Sequence, residues 1–274
     1  MLDKFDYAEP ACPQCSGKEF YYPDKDAPLG HIPVDRVIRK ADSLFDKNDY
    51  KEAGKLLVYW EKEAVALKDK KGELAIQNEL VGYYRKQNER EKGLIAVARA
   101  LALTDELGQD TMAAGATVFI NCATAYKAFG MAEDALPLYE RAEQIYSETL
   151  PANDARFGGL YNNMALALSD VGKVREAEIA YFAALSVMET VEGGEAECAI
   201  TYINMAHMYE KFGKTEKINA CMEKAYTLLQ SENLEHNGYY AFVLEKCAPS
   251  FGYFGNTAAY EQFKKESEDI YARA

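Results

Sequence analysis

Apolar residues recur at three- and four-residue spacing through most of this chain, the period of helices that bury one face. Short turn signals interrupt the pattern at Asn48, Asn88, Gly130, Gly172, Gly213 and Gly255, separated by 40, 42, 42, 41 and 42 residues. Each period holds two apolar-periodic stretches around its turn. The clearest copies are INCATAYKAFGMAEDALPLYERAEQIY from Ile120, YNNMALALSDVGKVREAEIAYFAALSVME from Tyr161 and TYINMAHMYEKFGKTEKINACMEKAYTLL from Thr201. The pattern predicts a helical hairpin repeated six times, with glycine giving the backbone its freedom just past the first helix.

Aligned on the turns, the copies show columns with a physical reason. Seven residues before each turn stand Ala41, Val81, Ala123, Ala165, Ala206 and Ala248, and four before it stand Leu44, Tyr84, Tyr126, Leu168, Tyr209 and Phe251. On the second helix, Ala53, Gly93, Ala135 and Ala177 lie five after the turn, and Ala100, Ala142, Ala184 and Ala225 twelve after it. Small side chains let two helices approach, and large ones beside them fill the space.

This pattern resembles the tetratricopeptide repeat (TPR) family in the long, kinesin-light-chain-like variant, and YNNMALALSDVGKVREAEIAYFAAL is the closest match. The resemblance covers roughly residues 32–272 and implies an all-α, right-handed α-α superhelix of about six hairpins. It divides the chain into a non-repeat segment, 1–31, and a superhelical domain, 32–274. The end repeats depart from the pattern. Trp60 stands where central repeats have alanine, and Lys264 stands where the others carry Leu57, Val97, Tyr139, Tyr181 and Met222. On the final helix Tyr260, Phe263, Ser267 and Ile270 still form one apolar stripe backed by charge, as a terminal helix covering the last interface requires.

The resemblance also implies that the first helix of each hairpin lines an inner groove. The residue nine before the turn then points into it, a column reading Arg39, Glu79, Asn121, Asn163, Asn204 and Lys246. Asparagine offers both a donor and an acceptor, so successive copies suit the backbone of an extended peptide. The alternative is that these amides bond only to neighbouring helices. Six before the turn the column reads Asp42, Gly82, Thr124, Leu166, His207 and Pro249, and three before it Phe45, Arg85, Lys127, Ser169, Glu210 and Gly252. Arg85 and Lys127, near Asn121, suit a carboxylate; ordinary solvated charge is the competing reading. The chaperone-binding members' lysine-and-asparagine clamp is not reproduced here in register, so that activity is not expected.

Composition narrows the function classes. With 44 acidic against 31 basic side chains the net charge is −13, which disfavours nucleic acid and anionic lipid as general partners. No run of 18 apolar residues and no signal-peptide pattern occurs, so a cytoplasmic location is expected. Phosphate-binding glycine loops, nucleophile elbows and paired helical histidines are absent, and the three histidines are scattered, so no enzyme is expected.

In the first segment, Cys12 and Cys15 form a CPQC turn resembling half a zinc site. The second pair of ligands is missing locally, with His31 a nearby candidate and Cys247 a distant one; a redox pair or an unmetallated turn are the other readings. The remaining cysteines, Cys122, Cys198, Cys221 and Cys247, read as core thiols. The leading expectation is a protein- or peptide-binding scaffold without a cofactor. A self-assembling, homodimeric repeat protein and a zinc- or thiol-responsive protein are the alternatives.

Overall fold

A computed structural model of the chain describes residues 27–273. Among these residues there are twelve α-helices, a 3₁₀ turn at Thr215–Lys217 and no strand. They pair as six hairpins: α1 (Val34–Asp46) with α2 (Tyr50–Ala66), α3 (Lys70–Lys86) with α4 (Arg90–Glu106), α5 (Ala113–Ala128) with α6 (Ala132–Thr149), α7 (Arg156–Asp170) with α8 (Val174–Met188), α9 (Glu195–Lys211) with α10 (Ile218–Leu229), and α11 (Gly238–Tyr253) with α12 (Thr257–Tyr271). Each first helix also contacts the first helix of the next hairpin, so the hairpins stack into an α-α superhelix.

One backbone device closes all six hairpins. Asn48, Asn88, Gly130, Gly172, Gly213 and Gly255 all take positive φ, between 54° and 89°. The N–H of the following residue donates to the carbonyl five positions back: Asp49 to Leu44, Glu89 to Tyr84, Met131 to Tyr126, Lys173 to Leu168, Lys214 to Tyr209 and Asn256 to Phe251, at 2.8–2.9 Å. This gives a partner to a carbonyl at the helix end, where the regular helical donors run out. The acceptors are the backbone of the large-residue column, so the residue that fills the hairpin's corner also carries its closing bond.

The small columns lie where close approach needs them. Ala41, Ala123, Ala165, Ala53, Ala135, Ala177, Ala100, Ala142, Ala184 and Ala225 are wholly buried. At Gly93 the fit is tighter still: a Cβ there would come within 2.5 Å of the Phe129 ring. Leu57, Val97, Tyr139, Tyr181 and Met222 form the buried column, and Lys264 is exposed. Phe263, Ser267 and Ile270 are buried and Tyr260 half-buried, so α12 covers the last interface with the expected stripe.

The stretch before α1 is fixed to the turn between the first two hairpins. Leu29 N–H donates to the Leu67 carbonyl at 2.8 Å, and Ile32 N–H donates to Asp69 Oδ2 at 2.9 Å. Asp69 also caps α3 through Gly72 N–H and lies 3.1 Å from His31 Nδ1. Burial opposes its ionisation, but the Ile32 and Gly72 amides and the His31 ring outweigh that and hold its carboxyl below the usual range. His31 therefore has Asp69 as its neighbour. Cys247 is buried on α11, with burial pushing its thiol up to about 12. Cys12 and Cys15 lie outside the described residues.

Candidate functional site

The predicted inner columns of the first three hairpins meet in one cleft. A cavity of about 240 Å³ is lined by Asp42 and Phe45 of α1, Asn78, Glu79, Gly82, Tyr83, Arg85 and Lys86 of α3, and Asn121 and Thr124 of α5. Gly82 sits at its centre in sequence register. A Cβ at Gly82 would meet nothing within 4 Å, so helix packing does not require glycine there. The space is left open in the middle of a helix, at a conformational cost of about 1 kcal/mol relative to alanine.

The cleft walls differ in charge. Burial, together with the neighbouring Asp42, pushes the Glu79 carboxyl above its usual range, and Lys86 pulls the other way. The Lys86 ammonium lies 5.4 Å over the Phe45 ring, which itself stacks at 6.4 Å on Tyr83. Arg85 has no carboxylate partner among the described residues; its field is felt at the Tyr139 hydroxyl, which hydrogen-bonds Thr124 Oγ1 at 3.0 Å. The half-buried guanidinium thus faces the cleft with its bidentate donors unused by acids.

Asparagines bridge the hairpins, but with partners outside the predicted column. Asn121 Nδ2 donates to Asn78 Oδ1 at 2.9 Å, and Asn204 Nδ2 donates to Asn162 Oδ1 at 3.0 Å. Asn78 and Asn162 stand ten before their turns, one position off the predicted column, although both precede their partners by about one repeat length. Asn163 has no such partner because Ile120 occupies the matching place in the preceding hairpin. The uninterrupted ladder is therefore two bridged pairs and one half-buried asparagine whose amide is unengaged.

The remaining predicted residues are dispersed. Lys127 does not join Arg85 in a cationic spot: its Nζ lies 3.6 Å from Asp170 Oδ2 on the next hairpin. Asp170 also receives Lys211 at 3.2 Å, so its charge is shared between the third and fifth hairpins. Arg39 is exposed on α1, away from the cleft lining. His207 Nε2 and Ser250 Oγ are hydrogen-bonded at 2.9 Å across the last seam. Burial holds the His207 ring below its ordinary pKa, the Glu210 carboxylate working against it. Lys246 places its ammonium 4.3 Å over Phe242. Among the described residues there is no group of three metal-ligating side chains, and no helix is long and apolar enough to cross a membrane.

Comparison with known proteins agrees with the fold. Residues 157–231, essentially the fourth and fifth hairpins, match the tetratricopeptide repeat family. A crystal structure of the nearly identical TPR-like repeats of a Podosopora anserina kinesin light chain, in a singly substituted form, superposes with a TM-score of 0.62 at 18% identity, over 72% of this chain and 97% of that one. BtubC (BKLC) from P. vanneervenii superposes with a TM-score of 0.50 at 20% identity, over 89% of this chain and 92% of its own. No curated protein matches the chain. At these identities the likeness is one of fold, and the fold is that of tetratricopeptide repeats.

Proposed function

We propose that this stack of kinesin-light-chain-like tetratricopeptide repeats is a non-catalytic scaffold that holds an extended segment of a partner protein in its inner groove. The cleft between the first three hairpins carries the reading. Three consecutive inner helices contribute to it, its floor is kept open by a glycine that packing does not need, and an arginine faces it without an acidic partner. A segment laid along the groove would present an acidic group to Arg85 and backbone amides to Asn121 and Asn163. Buried tyrosines and alanines behind the groove keep these groups in place without being consumed in binding.

Two substitutions separate the groove from the fold. Gly82→Trp fills open space, and Arg85→Glu reverses the free charge. Both proteins should keep their helical circular dichroism and lose partner recovery in a pull-down, with Asn163→Ala reducing it more mildly. Partner recovery equal to wild type with Gly82→Trp in place would refute capture at the cleft.

A further inference from the structure

The C-terminal end of the groove is chemically unlike the cleft. Tyr239, Phe242, Lys246, Pro249 and Tyr253 follow one another at three- and four-residue spacing on α11 and form a single exposed stripe. Its aromatic members are 50%, 42% and 64% exposed. Two of them are held at their tips by carboxylates of α9: the Tyr239 hydroxyl donates to Glu197, and the Tyr253 hydroxyl donates to Glu210 Oε1 at 2.7 Å. Phe254 backs Tyr253 edge-on at 5.0 Å, and His207 lies 4.9 Å from Phe254. The phenol rings are thus fixed in orientation with surface to spare.

The carboxylates at these tyrosines lack cations. Elsewhere Glu73 pairs with Arg99, Glu106 with Lys70, and Glu178 with Lys214 and Lys217. Glu197 has no lysine or arginine partner among the described residues, and the nearest basic group to Glu210 is His207 at 4.0 Å. The face also accommodates a cation already, since the Lys246 ammonium rests on the Phe242 ring at 4.3 Å.

We infer that this end of the groove binds a basic segment of a partner, seating one lysine or arginine side chain at each tyrosine–carboxylate pair. The cation lies against the phenol face with the carboxylate beside it, so ring quadrupole and anion act on the same charge. Tyr239 and Tyr253 are 14 residues apart on one helix, a span of about 21 Å at 1.5 Å per residue. An extended chain covers that distance in about six residues, so the two basic side chains are about six positions apart. The net charge of −13 draws such a segment in. The inference rests on the inner groove being the binding surface and adds the chemistry of its second half.

Fluorescence anisotropy tests it with three labelled peptides of otherwise neutral sequence: two lysines six positions apart, two adjacent lysines, and two glutamates six apart. The spaced lysine peptide should bind the whole protein about tenfold more tightly than either other peptide. Glu197→Gln combined with Glu210→Gln, charge-only changes checked by circular dichroism, should remove that advantage, while Gly82→Trp should leave it intact. Equal binding of all three peptides, or an advantage that survives the double change, overturns the inference. So does a self-associated protein that sedimentation shows dissociating on the double change while ignoring the peptides, since the stripe then contacts a second copy. If Gly82→Trp blocks partner capture yet the lysine peptide does not bind, groove capture stands and this inference falls. If the lysine peptide binds and Gly82→Trp changes no partner, the cleft reading alone falls.

Discussion

Tyr139 and Tyr181 occupy the same place in successive hairpins, nine residues after the turn, and both are wholly buried. The hydroxyl of Tyr139 reaches Thr124 on the inner helix, whereas that of Tyr181 has no hydrogen-bond partner because Leu166 stands where Thr124 stands one repeat earlier. Burial raises the pKa of both, Tyr139 to about 12, so both stay neutral at ordinary pH. An unmet buried hydroxyl costs about 1–3 kcal/mol, and a met one returns about 1 kcal/mol. Tyr181→Phe should therefore leave stability unchanged or raise it by about 1 kcal/mol, and Tyr139→Phe should lower it by a similar amount. Urea denaturation of the two variants checks the sign of each. A shared column in the sequence thus conceals opposite energetics, because the partner lies in a different column.

Glycine carries two opposite meanings on the helices. On α4, Gly93 meets the Phe129 ring, so an added methyl overpacks a tight crossing, which costs about 1–3 kcal/mol. On α3, Gly82 meets nothing, and an added methyl gains up to about 1 kcal/mol of helix propensity. Thermal melts should move down for Gly93→Ala and up for Gly82→Ala. The sequence separates them by column, Gly93 in the small column where helices approach and Gly82 in a candidate groove column, but that Gly82 meets no neighbour is seen only in the structure. The helices themselves were legible, since turn spacing and the alternation of small and large columns fix which faces meet. The groove was legible only in part. Column residues of the first three hairpins line one cleft, with Arg39 outside it, but Lys127 is drawn to Asp170, and Asn121 and Asn204 to asparagines one position off the column, because cross-seam partners depend on how far each hairpin rotates on the last. The stripe on α11 is hidden in the sequence because only Lys246 and Pro249 of its members stand in the inner columns, while Tyr239, Phe242 and Tyr253 fall outside them.

At the scale of the whole chain, the hairpins form a line in which each touches its neighbours, so stability is close to a sum of local terms. Phe263 is wholly buried in the last hairpin, between Phe251 at 5.2 Å and Tyr226 at 5.6 Å. Phe263→Ala should cost about 3–5 kcal/mol there. Hydrogen exchange should show the loss of protection concentrated in α11 and α12, with α3 to α6 nearly unchanged; a uniform loss along the chain would contradict the additive picture.

The bonds that cross the seams between inner helices also give the molecule a mechanical character. Asn78–Asn121, Asn162–Asn204 and His207–Ser250 lie on the inside of the curve, at 2.9, 3.0 and 2.9 Å. Flattening the curve stretches them first, so they act as stays along the inner edge of a spring. Among the described residues the seam between the first and second hairpins has no such bond, and the seam between the third and fourth has in its place Lys127 facing Asp170 at 3.6 Å, with Asn163 opposite an isoleucine. The stiffness is therefore uneven. The second, fourth and fifth seams are braced in this way, and a wide load would be taken up by opening at the first and third, which lack such a bond, before those yield.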